Sequence, residues 1–556
     1  MGFIAPSAPG FDVEDWTRRS YPERLRLMCD AWARQGFGAP GVAYAFYVIK
    51  MAIYVGGFLF FATRTPGVGG VGDIGDWWDD PRVFQKGILW TLLFEGIGLG
   101  CGSGPLTGRY LPPITAFTYW LRPGTIRLRP FAWVPGTAGT TRTIVDVALY
   151  AGVLATAVRA LLADELTRGY LWPILVVAVL LGLRDKTAFL AFRSEHYLLT
   201  VFVFLFPHDV IAGSKAIQAA LWFGAATSKL NHHFPNVIAV MLSNSPLIRG
   251  MRLRSKLFRS YPEDLRGSRL SATIGHFGTV IEYSFPLVLI FCPWWPAVAV
   301  ALVVMVTFHT IILTSFPLGV PLEWNAWFIY SGLVLFGAHH ETPLWSIDAP
   351  VLALVLLACL IVVPVIGNLR PDKVSFLPGL RYYAGNWATS LWLWRGDAFS
   401  RVGEHVTTSA PSPTAQITRL YGEGVYDVVV ARVQAFRAMH LHGRALNGLL
   451  PAAVDHLDDY QIVDGELVAG YLLGWNFGEG HLHHEQLLAA VQERCHFAPG
   501  ELRCVLLEGQ PALDPRMHWR VVDAADGEVA SGYVRVDELL DRQPWDVGGL
   551  VTTPAT

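Results

Sequence analysis

Charged residues are scarce in this chain: Asp, Glu, Lys and Arg occupy 16% of 556 positions, against about a quarter in soluble domains. Hydrophobic residues reach 52% and the mean hydropathy is +0.37, which excludes water as the only solvent of the fold. Net charge is nearly absent too, at -2 from 43 basic and 45 acidic residues. No global excess points to a nucleic-acid partner or an acidic substrate, so any electrostatic signal must be local. The six cysteines are scattered without a CxxC, and the expectation is reduced thiols acting as small hydrophobes. GxxxxGK[ST] is missing, and no GxSxG or GxGxxG opens a helix after a strand, which argues against an ATP-driven or Rossmann-type machine. The first residues, MGFIAPSAPGFDVEDW, carry no basic stretch leading into an apolar one, so no cleaved signal peptide is expected. Internal repeats are likewise not visible.

Long apolar runs are what the chain does have. Crossing a hydrocarbon core takes roughly 20 helical residues, and such runs predict about ten transmembrane helices, at 41–63, 86–106, 143–163, 170–184, 187–206, 211–230, 271–292, 294–314, 324–338 and 347–367. Runs such as YLWPILVVAVLLGL and VLALVLLACLIVVPVIG have no polar face, unlike the amphipathic helices of a soluble core. Loop charge orients the spans, because short cytoplasmic loops collect Lys and Arg. Asp73, Asp76, Asp79 and Asp80 mark the loop after the first span as external. Arg109, Arg122, Arg127, Arg129 and Arg142 mark the next loop as internal, and Arg249, Arg252, Arg254, Lys256, Arg259, Arg266 and Arg269 mark the loop after the sixth span likewise. The predicted topology is multi-pass in the cell membrane with both termini cytoplasmic.

The fold class expected is therefore an all-α polytopic membrane domain followed by a small soluble α+β C-terminal domain. Residues 1–40 read as a cytoplasmic amphipathic segment suited to the headgroup layer, 41–370 as the membrane domain, 371–416 as an interfacial segment and linker, and 417–556 as the soluble domain. Within 371–416, the aromatic stretch 380–399 suits an interfacial belt. In the tail, helical periodicity runs through 423–446 and 483–495, and MHWRVVDAADGEVASGYVRV reads as a β-hairpin.

Ionisable side chains inside hydrocarbon are costly and hence functional candidates. Glu95, Arg193, Glu195, His196 and Glu282 fall at mid-membrane, with Lys229 and His309 nearer the cytoplasmic ends of their spans. An interhelical salt bridge from Arg193 to Glu95 or Glu282 would explain part of this set by packing alone. After the sixth span, Lys229, His232, His233, Pro235, Asn236 and the SNSP stretch ending at Pro246 mix polar and apolar residues without helical regularity, as in a cavity-lining segment. Desolvated there, Lys229 is a candidate general base, with Glu282 and His309 as proton partners and His232 and His233 beside it.

Gln218, Trp222, Gly224, Ala225 and Ser228-Lys229-Leu230 resemble the helix that bears the active lysine in the vitamin K-dependent gamma-carboxylases and their bacterial horizontally transferred transmembrane relatives. Ile281-Glu282, Phe285-Pro286, Phe308-His309 and Phe316-Pro317 are compatible with it. The resemblance covers roughly 140–340 and implies that Lys229 deprotonates a reduced quinone. The whole chain, including GWNFGEGHLHHEQ, is closer to a largely actinobacterial family of multispanning membrane proteins of unknown function, which implies no activity.

In that same tail segment His481, His483 and His484 are candidate zinc or iron ligands; HHEQLL lacks the second histidine of HExxH, which excludes a zincin. Three readings stay open: an enzyme acting on a lipid or quinone-like substrate, a proton-coupled transporter or lipid-handling protein using the mid-membrane cluster, and a scaffold whose tail docks a protein partner. The cofactor is unknown at this level.

Overall fold

Five helices are long and apolar enough to cross a membrane among the residues that the computed structural model describes, which are 3–104, 116–245, 248, 250–315, 321–382 and 384–554. Arg109, Pro246, Arg249, Phe316, Pro317 and Tyr383 lie outside that set. The five are Gly41–Ala62, Ile144–Leu161, Arg269–Phe291, Trp295–Ser315 and Pro350–Leu369. Their outward side chains remain uncovered: Val48 is 70% exposed, Val303 66% and Leu354 67%. Apolar surface of that extent needs lipid to cover it.

The other expected spans depart from a simple crossing. The one at 86–106 is the helix Pro81–Gly96, started by the Asp80 carboxylate accepting from Arg82 N (2.7 Å) and buried along most of its length. The one at 187–206 is broken: Lys186–Ala191 stops, Arg193 takes a left-handed conformation (φ 51°), and a π-turn at Ser194–Leu198 leads into Leu199–Val203. Arg168–Arg184 is shorter, and Leu322–Gly332 passes into a π-turn at Leu333–Ala338. Val210–Ser228 is long but buries twelve of its residues, including Ser214, Lys215 and Gln218. Hydropathy marks these segments as apolar; it cannot say whether lipid or protein surrounds them.

The C-terminal region is built on a six-stranded antiparallel sheet in the order β4-β3-β5-β6-β7-β8. Its strands are β3 (Thr389–Arg395), β4 (Tyr460–Asp464), β5 (Leu502–Leu507), β6 (Arg516–Asp523), β7 (Gly527–Arg535) and β8 (Thr552–Pro554); β1 (Phe258–Ser260) and β2 (Asp264–Gly267) form a separate pair. β6 and β7 form the hairpin expected from the sequence. The aromatic stretch expected at the interface instead supplies β3, pinned between β4 and β5, with Trp392 and Trp394 fully buried and stacked 5.5 Å apart. Tryptophans have the same composition signature in a belt and in a sheet core, and only long-range strand pairing separates the two.

Nor does the amphipathic N-terminal helix lie free on its apolar side. Tyr21–Gln35 buries Leu25, Met28 and Trp32. Trp32 packs on Phe436 (5.4 Å) and donates to Val240 O (3.1 Å), and the Tyr21 hydroxyl donates to Asn447 (3.1 Å). The N-terminus is thus fixed both to the helix Phe234–Asn244 and to the C-terminal region. Several basic loop residues are structural too: Arg184 Nε lies 2.6 Å from Asp146, and Arg142 pairs with Asp185 in the interior.

Candidate functional site

A local stop signal places the lysine. Val210–Ser228 ends with Lys229 as its C-cap, and the Asn231 side chain then accepts from His233 N (2.8 Å) and Phe234 N (3.1 Å). Together with Pro235 in the first turn, these bonds start Phe234–Asn244 in a new direction. The ammonium of Lys229 turns inward and bonds directly to Glu282 of Arg269–Phe291. Side-chain exposures are only 11% and 4%, and the rings of Phe234 and Phe308 flank the nitrogen at 5.6 Å each.

The pair sits on the wall of a largely apolar cavity of about 320 Å³, lined in part by Ile238, Met241, Phe277, Ile281, Phe308 and Ile312. His309 lines it as well. Trp222 Nε1–H donates to His309 Nε2 (3.0 Å), so His309 must carry its proton on Nδ1 and donate it to Asn325 Oδ1 (2.8 Å). Asn325 Nδ2 in turn donates to Pro321 O (2.9 Å). Both imidazole nitrogens are therefore committed, which makes His309 an orienting group in this state. The sequence reading missed Asn325; the signal available was an amide in the otherwise apolar WNAWF run.

His232 and His233 do not join this wall. They point apart: His232 is exposed on a neighbouring basin, while His233 is buried and hydrogen-bonded to Gln510 Oε1 (3.0 Å) of the C-terminal region.

The mid-membrane residues form a second cluster, partly as expected. Arg193 bonds Glu195 (2.7 Å) and Cys101 Sγ (3.3 Å), and its guanidinium lies 4.2 Å over Trp324. Glu282 is absent from it because Lys229 holds that carboxylate. Glu323 takes its place, paired with Lys50 (2.8 Å) and close to Glu95, whose Oε2 accepts from Cys101 N (2.8 Å). Lys50 and Glu323 were both legible as ionisable residues in or beside apolar runs. His196 accepts from Trp324 Nε1 (3.3 Å), and Tyr382 approaches Glu195 (3.4 Å). Trp324 and Tyr382 also line the cavity, so the two clusters share a wall.

In the C-terminal region His481 bonds Glu508 (2.8 Å) and His484 Nδ1 lies 3.5 Å from the same carboxylate. His483 turns the other way, to Ser390 Oγ (2.6 Å). The convergent set is thus His481, His484 and Glu508, and Glu508 was invisible to local spacing because it comes from the end of β5. Burial works to raise the Glu508 carboxyl, yet His481 and His484 hold it well below its ordinary value. Burial lowers His481 and His483. Arg520 also approaches Glu508 (3.5 Å) and bonds Glu485, and Lys186 bonds His481 O (3.2 Å), so two cations already serve this cluster as braces.

Residues 1–555 match the model of a family of transmembrane proteins of unknown function, DUF3556, and the chain belongs to that family. This agrees with the multispanning family expected from the whole-chain likeness. No curated protein and no solved structure matches, and the comparisons lend no support to the gamma-carboxylase resemblance.

Proposed function

We propose that this transmembrane protein is a membrane-embedded enzyme that admits a lipid-soluble substrate, a lipid or a quinone-like molecule, to the cavity beside Lys229 and moves a proton with the Lys229–Glu282 pair. One observation supports this above the others: an amine and a carboxylate in direct contact on the wall of an apolar cavity whose helices carry lipid-facing outer surfaces. Passing one proton from the ammonium to Glu282 leaves a neutral amine. That amine can accept the proton of a substrate hydroxyl, giving back the ammonium beside the oxyanion. Removing water from the cavity strengthens these electrostatic interactions. The Trp222–His309–Asn325 chain fixes the cavity floor without taking part in the transfer. Complementation of a deletion strain tests it: both Lys229→Met and Lys229→Arg should fail, and restored function with both would end the proposal.

A bilayer orientation accompanies this reading. Contacts of the N-terminal helix with Phe436 and Asn447 support a topology in which both ends of the chain lie on one side of the membrane. The number of crossings is then even, so at least one helix beyond the five long ones crosses. The basic residues of the loops favour the cytoplasm for that shared side.

A transporter reading is favoured by the other cluster, where Lys50 and Arg193 face three carboxylates, Glu95, Glu195 and Glu323. An excess of carboxylates over cations suits a proton carrier. Proton flux in proteoliposomes, abolished by Glu95→Gln, would favour that function over catalysis.

A further inference from the structure

Beside the cavity lies a wide basin of about 1800 Å³, where the membrane helices meet the C-terminal region. Lys256, Arg259, Arg269 and Arg381 line it together with His232 and His276, and no Asp or Glu is among its described lining residues. The remaining polar lining consists of hydroxyls and amides, among them Ser228, Asn231, Asn386 and Gln510. None of the four cations has an ion-pair partner among the described residues, although most arginines elsewhere in the C-terminal region do. Lys256, Arg259 and Arg269 are exposed to the basin, and Arg381 is buried behind them at 3% exposure. Its Nη2 donates to Val374 O (3.3 Å) and the carboxylates of Glu479 and Glu508 act on it from behind, so Arg381 adds positive potential at the back of the basin while Lys256, Arg259 and Arg269 supply the accessible donors.

The basin and the cavity adjoin along two elements. Ser228 faces the basin and Lys229 the cavity; on the helix Arg269–Phe291, Arg269, Ala272 and His276 face the basin while Gly275, Phe277, Ile281 and Glu282 face the cavity. His276 is six residues from Glu282, about 9 Å of helical rise. The two compartments therefore match the two halves of one amphipathic molecule.

We propose that the ligand is an anionic lipid whose phosphate-bearing headgroup occupies the cationic basin and whose apolar chain fills the cavity, so that a hydroxyl at the junction of headgroup and chain comes beside the Lys229–Glu282 pair. This deepens the proposed function by naming the substrate class, and it rests on the cavity being a lipid site. Arginine forks and lysine together recognise phosphate oxygens, the arginines in bidentate fashion.

The test uses the full chain in neutral detergent, with native mass spectrometry during titration with dioleoyl phosphatidic acid, dioleoyl phosphatidylcholine and inorganic phosphate. Phosphatidic acid should bind at least tenfold tighter than phosphatidylcholine, and Arg259→Gln/Arg269→Gln should reduce that preference to about threefold or less. Both side chains are exposed and unpaired, so the variant keeps its fold; an unchanged melting temperature checks this. Equal binding of the two lipids, or full preference in the double variant, overturns the proposal. Inorganic phosphate binding as tightly as phosphatidic acid also overturns it, because the basin would then hold a free anion. Catalysis is read separately by complementation: if Lys229 variants complement while lipid selectivity persists, the proton-transfer function fails and the lipid assignment stands.

Discussion

Replacing the members of the Lys229–Glu282 pair singly and together separates an ion pair that is held by burial from a surface contact. In the wild type both charges are withdrawn from water, with 11% and 4% of their side chains exposed. At an effective dielectric constant of about 20 a contact pair gains roughly 4 kcal/mol, which offsets much of the desolvation of both ions. Lys229→Met leaves the Glu282 carboxylate alone in an apolar cavity, and Glu282→Leu strands the ammonium between Phe234 and Phe308. Breaking a buried pair by removing one partner costs about 3–5 kcal/mol. The double variant leaves neither charge uncompensated, so it should be as stable as wild type or more stable by up to about 4 kcal/mol, as apolar replacement of a whole buried pair often is. Reversible unfolding in mixed micelles, followed by tryptophan fluorescence, measures all three, and complementation is lost in every one. Two single variants each within about 0.5 kcal/mol of wild type would refute the reasoning, because the charges would then be solvated.

Asn325→Leu removes the acceptor of His309 Nδ1–H and should cost about 1–3 kcal/mol for the unpaired donor, with loss of complementation; a stability change near zero shows the imidazole free to find another partner. Trp32→Ala empties the contact between the N-terminal helix and Phe436, and a loss of about 3–5 kcal/mol is expected, read as protease cleavage within the first 40 residues under conditions where wild type is intact. Acidification should loosen the C-terminal region. Burial pushes His440 down to about 3 and lowers His442, His481 and His483 as well. These rings stay neutral when folded and take up protons on unfolding below about pH 6.5. Each therefore weakens folding by up to about 1.4 kcal/mol per pH unit between that value and its folded one. Hydrogen exchange across 440–484 that is as slow at pH 5 as at pH 7, after correction for intrinsic rates, contradicts this. Tags at the two ends should be digested together, both only in inverted vesicles; opposite-side digestion rules out an even number of crossings.

Much of the candidate site could be read from residue type. An amine, a carboxylate and an imidazole in apolar runs are anomalies whatever the fold, and Lys229, Glu282 and His309 do meet at one cavity. Direction could not be read: His232 and His233 share the polar turn, but the Asn231 cap rotates them onto different surfaces. Partner choice within the mid-membrane cluster was hidden too, because Glu323 and Glu282 are chemically alike and only helix packing assigns one to Lys50 and the other to Lys229. Glu508 joins His481 and His484 across a strand pairing that no spacing rule encodes.

Composition alone determined that this chain belongs in lipid, since that conclusion depends on the transfer free energy of each residue, which adds along the sequence without regard to shape. Periodicity also marked helix at 423–446, which the structure divides into Tyr426–Ala438 and Leu441–Ala453, helix at 483–495, and the β6–β7 hairpin, because those patterns are local, while the helices Pro413–Tyr421 and Gly465–Leu473 went unread. Tertiary structure decided which apolar segments face protein instead of lipid, that Trp392 and Trp394 belong to a sheet core, and that the N-terminal helix is bound to the C-terminal region. Each of these depends on contacts between residues distant in sequence, from Trp392 with Val463 to Trp32 with Phe436, and a single side chain has the same hydrophobicity against a lipid tail as against another helix.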